Sequence, residues 1–551
     1  MLLSNLKSMI KKYWPFNPHH YLFVVFLLTL FFISISNIAF WKHVFQIIRN
    51  SDNLPLSFII SAPITIFLLM YAIFLVLFSW KYVLKPIFVV LLISCAAATY
   101  ASFQYGIIFD SNMMVNFAET NISEALSYVS FPSILTVVLL GIIPAVFLCK
   151  FKIYYPHFFI SLFQRVITII ISLAVVGICV FTFYQQYSFI GRDNKILNKE
   201  ILPISYIYSI GSYIKSKYFV TKAPYVSMGK DAKLVSTTKK PKLMFLVLGE
   251  TARAQNYSDL GYSRETNPYT DKEKVISFAN VSSCGTYTAY SVPCMFSNLT
   301  RADYSPKKVE NRENVLDVLE KAGVDITWID NDSGCKGVCA RVKTLQIETA
   351  KNRFCDGNTC KDEVILNHAI NLSQHVTKDS LIVFHLIGSH GPRYYERYPE
   401  KFRKYTPDCN RPDVENCTIE ELRNAYDNTI LYTDYVIYEL ISILEKHMDT
   451  NEVMLLYVSD HGESLGENNV YLHASPYAIA PDEQIKVPLQ LWLPDKTAND
   501  LSVDKACLKR KAKTGSFSHD NIFHSIMGLM QVRSSEYHSD LDLLSDCLKK
   551  K

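Results

Sequence analysis

Two short stretches, 283–297 (SCGTYTAYSVPCMFS) and 458–467 (VSDHGESLGE), hold the residue types needed for nucleophilic chemistry at a metal ion. The first sets Thr288 in a loop bracketed by Cys284 and Cys294, at the expected start of a helix. The second sets Asp460 and His461 side by side after NEVMLLYV, an apolar run that reads as a buried strand. Glu250 follows another such run, KLMFLVLG. Two carboxylates, an imidazole and a hydroxyl form an oxygen- and nitrogen-rich ligand set that suits zinc. A threonine hydroxyl stays protonated near neutral pH and is a weak nucleophile alone, but metal coordination supplies the alkoxide. The expected chemistry is that of a metalloenzyme with a threonine nucleophile.

Plainer readings exist for each residue. Thr288 also fits a helix cap, since a helix start gathers unpaired N–H groups that attract any oxygen or anion. The flanking cysteines favour the nucleophile, because a pinned loop suits reacting geometry better than a routine cap. A lone acidic residue after a strand commonly faces solvent. Asp-His-Gly-Glu after an apolar strand, with Gly462 permitting a tight turn, points to a site instead. His390 (in GSHGP) and His473 (in YLHASPYA) are candidates for a second metal or for a substrate phosphate, with structural histidines as the alternative. Glu463 and Glu467 read as turn or surface residues.

The elements that must position these groups divide the 551 residues into three parts. Residues 1–185 carry long apolar runs and few charges, 186–222 form a connector, and 223–551 have ordinary globular composition. The net charge of +5 is dispersed, without a basic stripe, which excludes a nucleic-acid partner. Segments at 21–40, 56–80, 87–104, 134–149 and 159–184 are apolar enough to be five membrane spans. The fourth is short, so a tilted or in-plane placement is an alternative. No cleavable signal peptide is evident. Lys7, Lys11, Lys12, Lys81, Lys85, Lys150, Lys152 and Arg165 fall on one side, against Lys42 and Arg49 on the other. The amino terminus is therefore expected in the cytoplasm, and everything after residue 185 outside it. The connector mixes aromatics with lysines, as a membrane-surface helix or an ordinary linker would.

Beyond the connector, strand candidates at 242–248, 324–330, 381–387, 452–458 and 486–493 alternate with helical stretches, the clearest at 418–447. There Thr418 and Glu421 have capping-box spacing, and Leu422, Ala425, Thr429, Tyr432, Val436 and Leu440 recur at helical intervals. Such alternation predicts a mainly parallel sheet covered by helices on both faces, with ligands at the carboxyl ends of its strands. Glu250, His390 and Asp460–His461 all fall just past strand candidates. Of the cysteines, Cys95, Cys149 and Cys179 lie in or beside apolar segments, and the other ten follow residue 280. Outside the cytoplasm an even, closely spaced set reads as disulfides, most economically Cys284–Cys294, Cys335–Cys339, Cys355–Cys360, Cys409–Cys417 and Cys507–Cys547. A zinc ribbon at Cys335 and Cys339 lacks a second ligand pair.

The spans, together with GETARAQNYSDLGYSRETNP, SCGTYTAYSVPCMFS, NDSGCKGVC, IGSHGP and SDHGESLGE, make a chain that resembles, over essentially its whole length, the lipid A phosphoethanolamine transferases. That family includes the transferable colistin-resistance enzymes. The resemblance implies a catalytic half with an alkaline-phosphatase/sulfatase-like α/β/α sandwich, a Thr288 nucleophile, and Zn2+ held by Glu250, Thr288, Asp460 and His461. It implies His390 and His473 in the substrate pocket, and Ser333 and Lys336 on the donor headgroup. Asn116 and Thr120, in the loop after the third span, would serve donor binding. Phosphatidylethanolamine would be the donor and a lipid A phosphate the acceptor. The setting would be the lipids of a bacterial inner membrane, with the catalytic domain of a monomer in the periplasm. Loss of envelope negative charge and resistance to polymyxin would follow. Two rivals remain: a hydrolase or transferase of the same fold acting elsewhere, and a non-enzymatic membrane sensor with a disulfide-stapled exterior.

Export of the ten later cysteines predicts a thiol count. Titration of the denatured, unreduced protein should find free thiols at Cys95, Cys149 and Cys179 alone, and additional reactive cysteines would contradict an oxidising compartment.

Overall fold

The computed structural model describes residues 17–49, 54–120, 125–126, 128–194, 196–219, 223–235, 240–347, 352–356, 359–374 and 376–549. Lys7, Lys11 and Lys12, used above for orientation, lie outside the described residues. The chain forms two compact units: 1–114 with 129–219, and 115–128 with 220–551.

The first unit is helical. Leu56–Leu77, Leu84–Tyr105, Phe131–Lys150 and Phe158–Thr182 are each long and apolar enough to cross a membrane. The expected first span differs: Tyr21–Ser36 and Ile38–Arg49 meet at a bend of 63°. Asn37 explains the break. Its Nδ2 donates to the Phe32 carbonyl at 2.8 Å and to the Leu202 carbonyl at 2.7 Å, drawing the backbone out of the helical ladder. The fourth expected span is longer than its apolar run suggested. Ser130 and Ser133 form a capping box that starts the helix early, and the resulting 20 residues reach about the 30 Å of a hydrocarbon core. Phe159, Phe163, Ile170 and Phe181 stand exposed on Phe158–Thr182, a surface suited to lipid. The connector is largely helical, with Tyr184–Asp193 and Ile204–Ile214 grouped in this unit. Asn116 lies on the helix Ser111–Glu119 rather than in a loop, because Asp110 accepts from the N–H groups of Asn112 (3.0 Å) and Met113 (3.1 Å) and starts a helix there.

In the second unit a seven-stranded mixed sheet carries the site. Its strands are β1 (Lys242–Gly249), β2 (Ile276–Ser277), β3 (Asp325–Asp330), β4 (Lys343–Gln346), β5 (Ser380–His385), β6 (Glu452–Ser459) and β7 (Leu489–Trp492). Their spatial order is β2-β7-β6-β1-β5-β3-β4. Central β1 runs parallel to β5 and β6, whereas β7 is antiparallel to both of its neighbours. β1 and β6 are buried along their whole length, as continuous apolar runs covered on both faces must be. Met244, Leu246, Val383 and Leu456 pack on one face with Leu316, Leu319, Ile522 and Ile526. The alternate side chains point the other way, where the long helix Ile419–Glu445 packs on β1 and β6. That helix starts at the Thr418–Glu421 capping box. Disulfides join Cys284–Cys294, Cys335–Cys339, Cys355–Cys360, Cys409–Cys417 and Cys507–Cys547, and Cys95, Cys149 and Cys179 are free thiols.

Midway along the long helix, Asp434 accepts from the N–H groups of Tyr269 (2.7 Å) and Thr270 (3.3 Å) and from the Thr270 hydroxyl. Burial lifts its carboxyl to about 7, against the hydrogen bonds from Thr270 and Tyr269, which lower it. An unfolded aspartate titrates near about 3.9. The raised group therefore stabilises the fold fully below that value, and the contribution is lost as pH rises through about 7. Thermal melts of the full chain should show a loss of stability from pH 5 to 8, on the order of a few kcal/mol from this group. Asp434→Asn should flatten that slope, and an unchanged slope would exclude Asp434 as its source.

Candidate active site

Strand register builds the first half of the site. Gly249 of β1 pairs with Ser459 of β6, so the next residues, Glu250 and Asp460, leave the sheet side by side. Thr288 is the first residue of the helix Thr288–Met295, and it does not cap that helix: Tyr287 occupies the cap position, with no side-chain cap. The Thr288 hydroxyl donates to Glu250 Oε2 at 3.1 Å and lies 3.4 Å from His461 Nε2. His461 Nε2 is also 3.4 Å from Glu250 Oε1 and 3.4 Å from Asp460 Oδ2. Glu250, Asp460 and His461 are completely buried.

Three features of this cluster call for a cation. Ligand atoms of Glu250, Asp460 and His461 all lie within 4.8 Å of one another. Glu250 Oε1 and Asp460 Oδ2 are buried with no hydrogen-bond partner, a costly state for carboxylates unless positive charge faces them. His461 Nδ1 sits 2.9 Å from the Gly462 carbonyl, which holds the proton on Nδ1 and turns the Nε2 lone pair to the carboxylates. Burial pushes the Glu250 carboxyl well above the ordinary range, and the Asp460 and Asp332 charges push it further. The donor set fits a divalent ion of the zinc type.

Around this centre the structure gathers the two other histidines. The His473 ring lies 4.6 Å from that of His461 and 5.6 Å from that of His390. Glu463, expected in a turn or at the surface, is fully buried: its Oε2 holds His473 Nδ1 at 2.9 Å, and its Oε1 accepts from the Tyr394 hydroxyl at 2.7 Å. The turn at Gly462 carries Glu463 inward, and burial raises its carboxyl to about 7 against the Tyr394 hydrogen bond. Glu467 is part-exposed and pairs with buried Arg253 at 2.7 Å. Lys336 Nζ donates to Ser333 Oγ at 2.8 Å, and Ser333 Oγ to Asp332 Oδ2 at 2.9 Å, in the loop after β3. The Thr120 hydroxyl donates back to the Asn116 carbonyl at 2.8 Å. Among the described residues, neither hydrogen-bonds to the Glu250–Thr288–Asp460–His461 cluster.

Sequence reasoning passed over His519, Asp332 and His385. Buried His519 lies with Nδ1 3.0 Å from the Cys284 N–H and 3.2 Å from Ser291 Oγ, and with Nε2 2.9 Å from the Ser459 carbonyl. Burial lowers its pKa to about 4, so it is neutral, accepts at Nδ1, donates at Nε2, and ties the loop that carries Thr288 to the end of β6. Nothing local in FSHDN marked it. His385 ends an otherwise apolar strand, and that polar residue was a signal that could have been read. Two glycines admit backbone where a side chain would not fit. At Gly462 a Cβ would lie 2.0 Å from the Glu483 carbonyl oxygen, so close approach, rather than the expected turn conformation, requires glycine. Gly388 has a φ of +49°, and its Cβ would lie 2.7 Å from the Glu250 carbonyl oxygen.

A mixed sheet with two carboxylates, an imidazole and a threonine at its carboxyl edge defines a sulfatase-like catalytic domain. The Sulfatase family matches residues 242–532, and the family described as phosphoethanolamine transferase EptA/EptB matches residues 66–218. The integral membrane lipooligosaccharide phosphoethanolamine transferase A of Neisseria meningitidis superposes with a TM-score of 0.92 at 34% identity, covering 96% of this chain and 98% of that one. Phosphoethanolamine transferase EptA of Escherichia coli K12 is 38% identical over 98% of this chain and 99% of its own length. Phosphatidylethanolamine transferase Mcr-1 of Escherichia coli is 36% identical over 92% of this chain and 94% of its own. The chain belongs to the phosphoethanolamine transferase family.

Gly462→Ala tests the link between turn and site. Overpacking against Glu483 should cost on the order of 1–3 kcal/mol and displace His461. Transferase activity should fall at least tenfold in protein that still melts cooperatively. Wild-type activity in this variant would separate the turn from the chemistry.

Proposed function

We propose that this chain transfers phosphoethanolamine from phosphatidylethanolamine to a phosphate of lipid A, through a covalent phosphoethanolamine adduct of Thr288 at a zinc site formed by Glu250, Thr288, Asp460 and His461. The observation that carries this reading is the Thr288 hydroxyl, 3.1 Å from Glu250 Oε2 and 3.4 Å from His461 Nε2, beside buried carboxylate oxygens without partners. Zinc, when bound there, would supply the charge that favours the Thr288 alkoxide and offsets charge on the phosphoryl oxygens.

Glu250 and His461 aim the Thr288 oxygen. In the first step the Thr288 hydroxyl proton passes to Glu250 Oε2, to which it already donates, as an Oγ1–phosphorus bond forms; the bond from phosphorus to the glycerol oxygen breaks, and that oxygen leaves as diacylglycerol with a proton. We assign the proton to His473, which Glu463 holds through Nδ1. In the second step a lipid A phosphate oxygen attacks the same phosphorus, the Oγ1 bond breaks, and Thr288 recovers its proton. Lys336 and Ser333 are assigned to the donor headgroup, His390 to the transferred phosphate, and Asn116 and Thr120 to the donor on the membrane side. Residues 1–185 would span the bacterial inner membrane, 186–222 lie along its surface, and 223–551 work in the periplasm, as a monomer. A transferase whose donor, by-product and acceptor are all lipids has reason to be membrane-bound. A phosphate monoester carries about −1.5 to −2 charge, and capping it with phosphoethanolamine adds an ammonium. Polymyxin and other cationic peptides, which depend on anionic lipid, should then bind the envelope less.

Supplying donor without acceptor should leave one phosphoethanolamine on the protein, located by fragmentation between Cys284 and Cys294. Thr288→Ala should lose adduct and product, while Thr288→Ser keeps partial activity, limited by its freer χ1. Product from the alanine variant, with no adduct under any condition, would sink the two-step mechanism.

A further inference from the structure

Glu250 belongs to a second cluster that the proposed reaction does not use. Ligand atoms of Glu250, Asp332 and His385 lie within 4.8 Å of one another, on the side of Glu250 served by β3 and β5 rather than β6. Asp332 sits in the loop just after β3, and His385 is the last residue of β5. The parallel register Asp330↔His385 sets these two strand ends beside each other.

His385 is completely buried, and its two nitrogens differ. Nδ1 lies 3.1 Å from Asp330 Oδ2, and Asp330 is itself fixed by the Trp328 indole N–H at 2.9 Å and the N–H groups of Asp332 and Gly334, both at 3.1 Å. Nε2 is buried without a hydrogen-bond partner, 3.8 Å from Asp332 Oδ2, too far for a hydrogen bond. A histidine whose Nδ1 is anchored on a carboxylate while Nε2 points at other carboxylates has the arrangement that metal-ligating histidines show. Glu250 Oε1, buried without a partner, is the further observation that asks for a cation here. Asp332 Oδ2 is oriented by the Ser333 hydroxyl at 2.9 Å, so Asp332 and His385 are each held by a neighbouring group.

We infer that Glu250, Asp332 and His385 form a second divalent-cation site, which shares the Glu250 carboxylate with the Glu250–Thr288–Asp460–His461 site. One nitrogen and carboxylate oxygens suit zinc or manganese. An ion there would add positive charge beside the Ser333–Lys336 loop, on the side of Glu250 away from Asp460. Paired ions of this kind steady both oxygens of an in-line displacement.

Zinc alone is the probe. The full-length protein in detergent is equilibrated in a zinc buffer, freed of loose metal, and its zinc-to-protein ratio measured by mass spectrometry of the metal. Asp332→Asn, which keeps the side-chain volume, and His385→Gln should each hold one zinc fewer than wild type and retain the zinc at the Thr288 site. If His385→Gln does not fold, Asp332→Asn decides alone. Equal zinc in wild type and Asp332→Asn overturns the second site and leaves the first standing. Loss of all zinc in Asp332→Asn also overturns it, because the residues would then serve one ion. A wild type without zinc overturns this inference and the proposed zinc chemistry together.

Discussion

Two carboxylates forced together out of water set the terms for everything else in the catalytic unit. Glu250 and Asp460 follow paired residues of adjacent parallel strands, so they cannot separate without a slip of register between β1 and β6. Both are completely buried, and each leaves one oxygen without a hydrogen bond. Like charges in such a place are tolerated when a cation or shared protons neutralise them. The apolar sheet supplies the rigidity, because a buried strand cannot slip by one residue without turning its side chains to the wrong face. The energy of a large core is thereby spent on holding an arrangement that is unfavourable in itself, as functional sites commonly require.

Thr288 reaches this pair through contacts remote in sequence. Ser291 donates to the Asp460 carbonyl, His519 links Cys284 to the end of β6, and the Cys284–Cys294 disulfide closes the loop around Thr288. The first two contacts tie this loop and the short helix Thr288–Met295 to the strand that presents Asp460 and His461. On the opposite side, Tyr394 and Glu463 hold His473, and Arg253 bridges the Glu463 carbonyl at 3.1 Å and the Glu467 carboxylate at 2.7 Å. A centre that must hold charge in place is thus surrounded by side chains that are themselves fixed, which lowers the reorganisation needed during reaction. A site flanked by buried carboxylates favours cations and repels anions unless an ion reverses the local field.

In the helical unit, length and polarity set different features. Apolar runs long enough for a bilayer became helices wherever backbone groups could be satisfied internally. One polar side chain, Asn37, was enough to bend the first pair by 63°, because its amide took the Phe32 carbonyl of the preceding helix and the Leu202 carbonyl outside it. The serine box at Ser130 lengthened another helix by giving its first turn a start. Small polar residues, and not the hydrophobic content, decided these boundaries.

Composition and period alone determined much of this protein. The apolar runs predicted the helices of the first unit, and the alternation of strands and helices predicted the sheet, since burial on both faces demands continuous apolar strands. Glu250, Thr288, Asp460 and His461 were legible as candidates because each stands at the end of such a run or inside a cysteine-bracketed loop. Tertiary structure decided what no local pattern records. It chose the antiparallel direction of β7, which hydropathy cannot encode. It turned Glu463 inward, because the Glu483 carbonyl occupies the space beside Gly462 and shapes the turn. It also placed His519, Asp332 and His385 around the centre, from positions up to 269 residues away from Glu250 in the chain. Hydropathy and spacing report on neighbours in sequence, whereas the partner of a buried polar atom is set by which strands lie side by side, and only the folded sheet determines that.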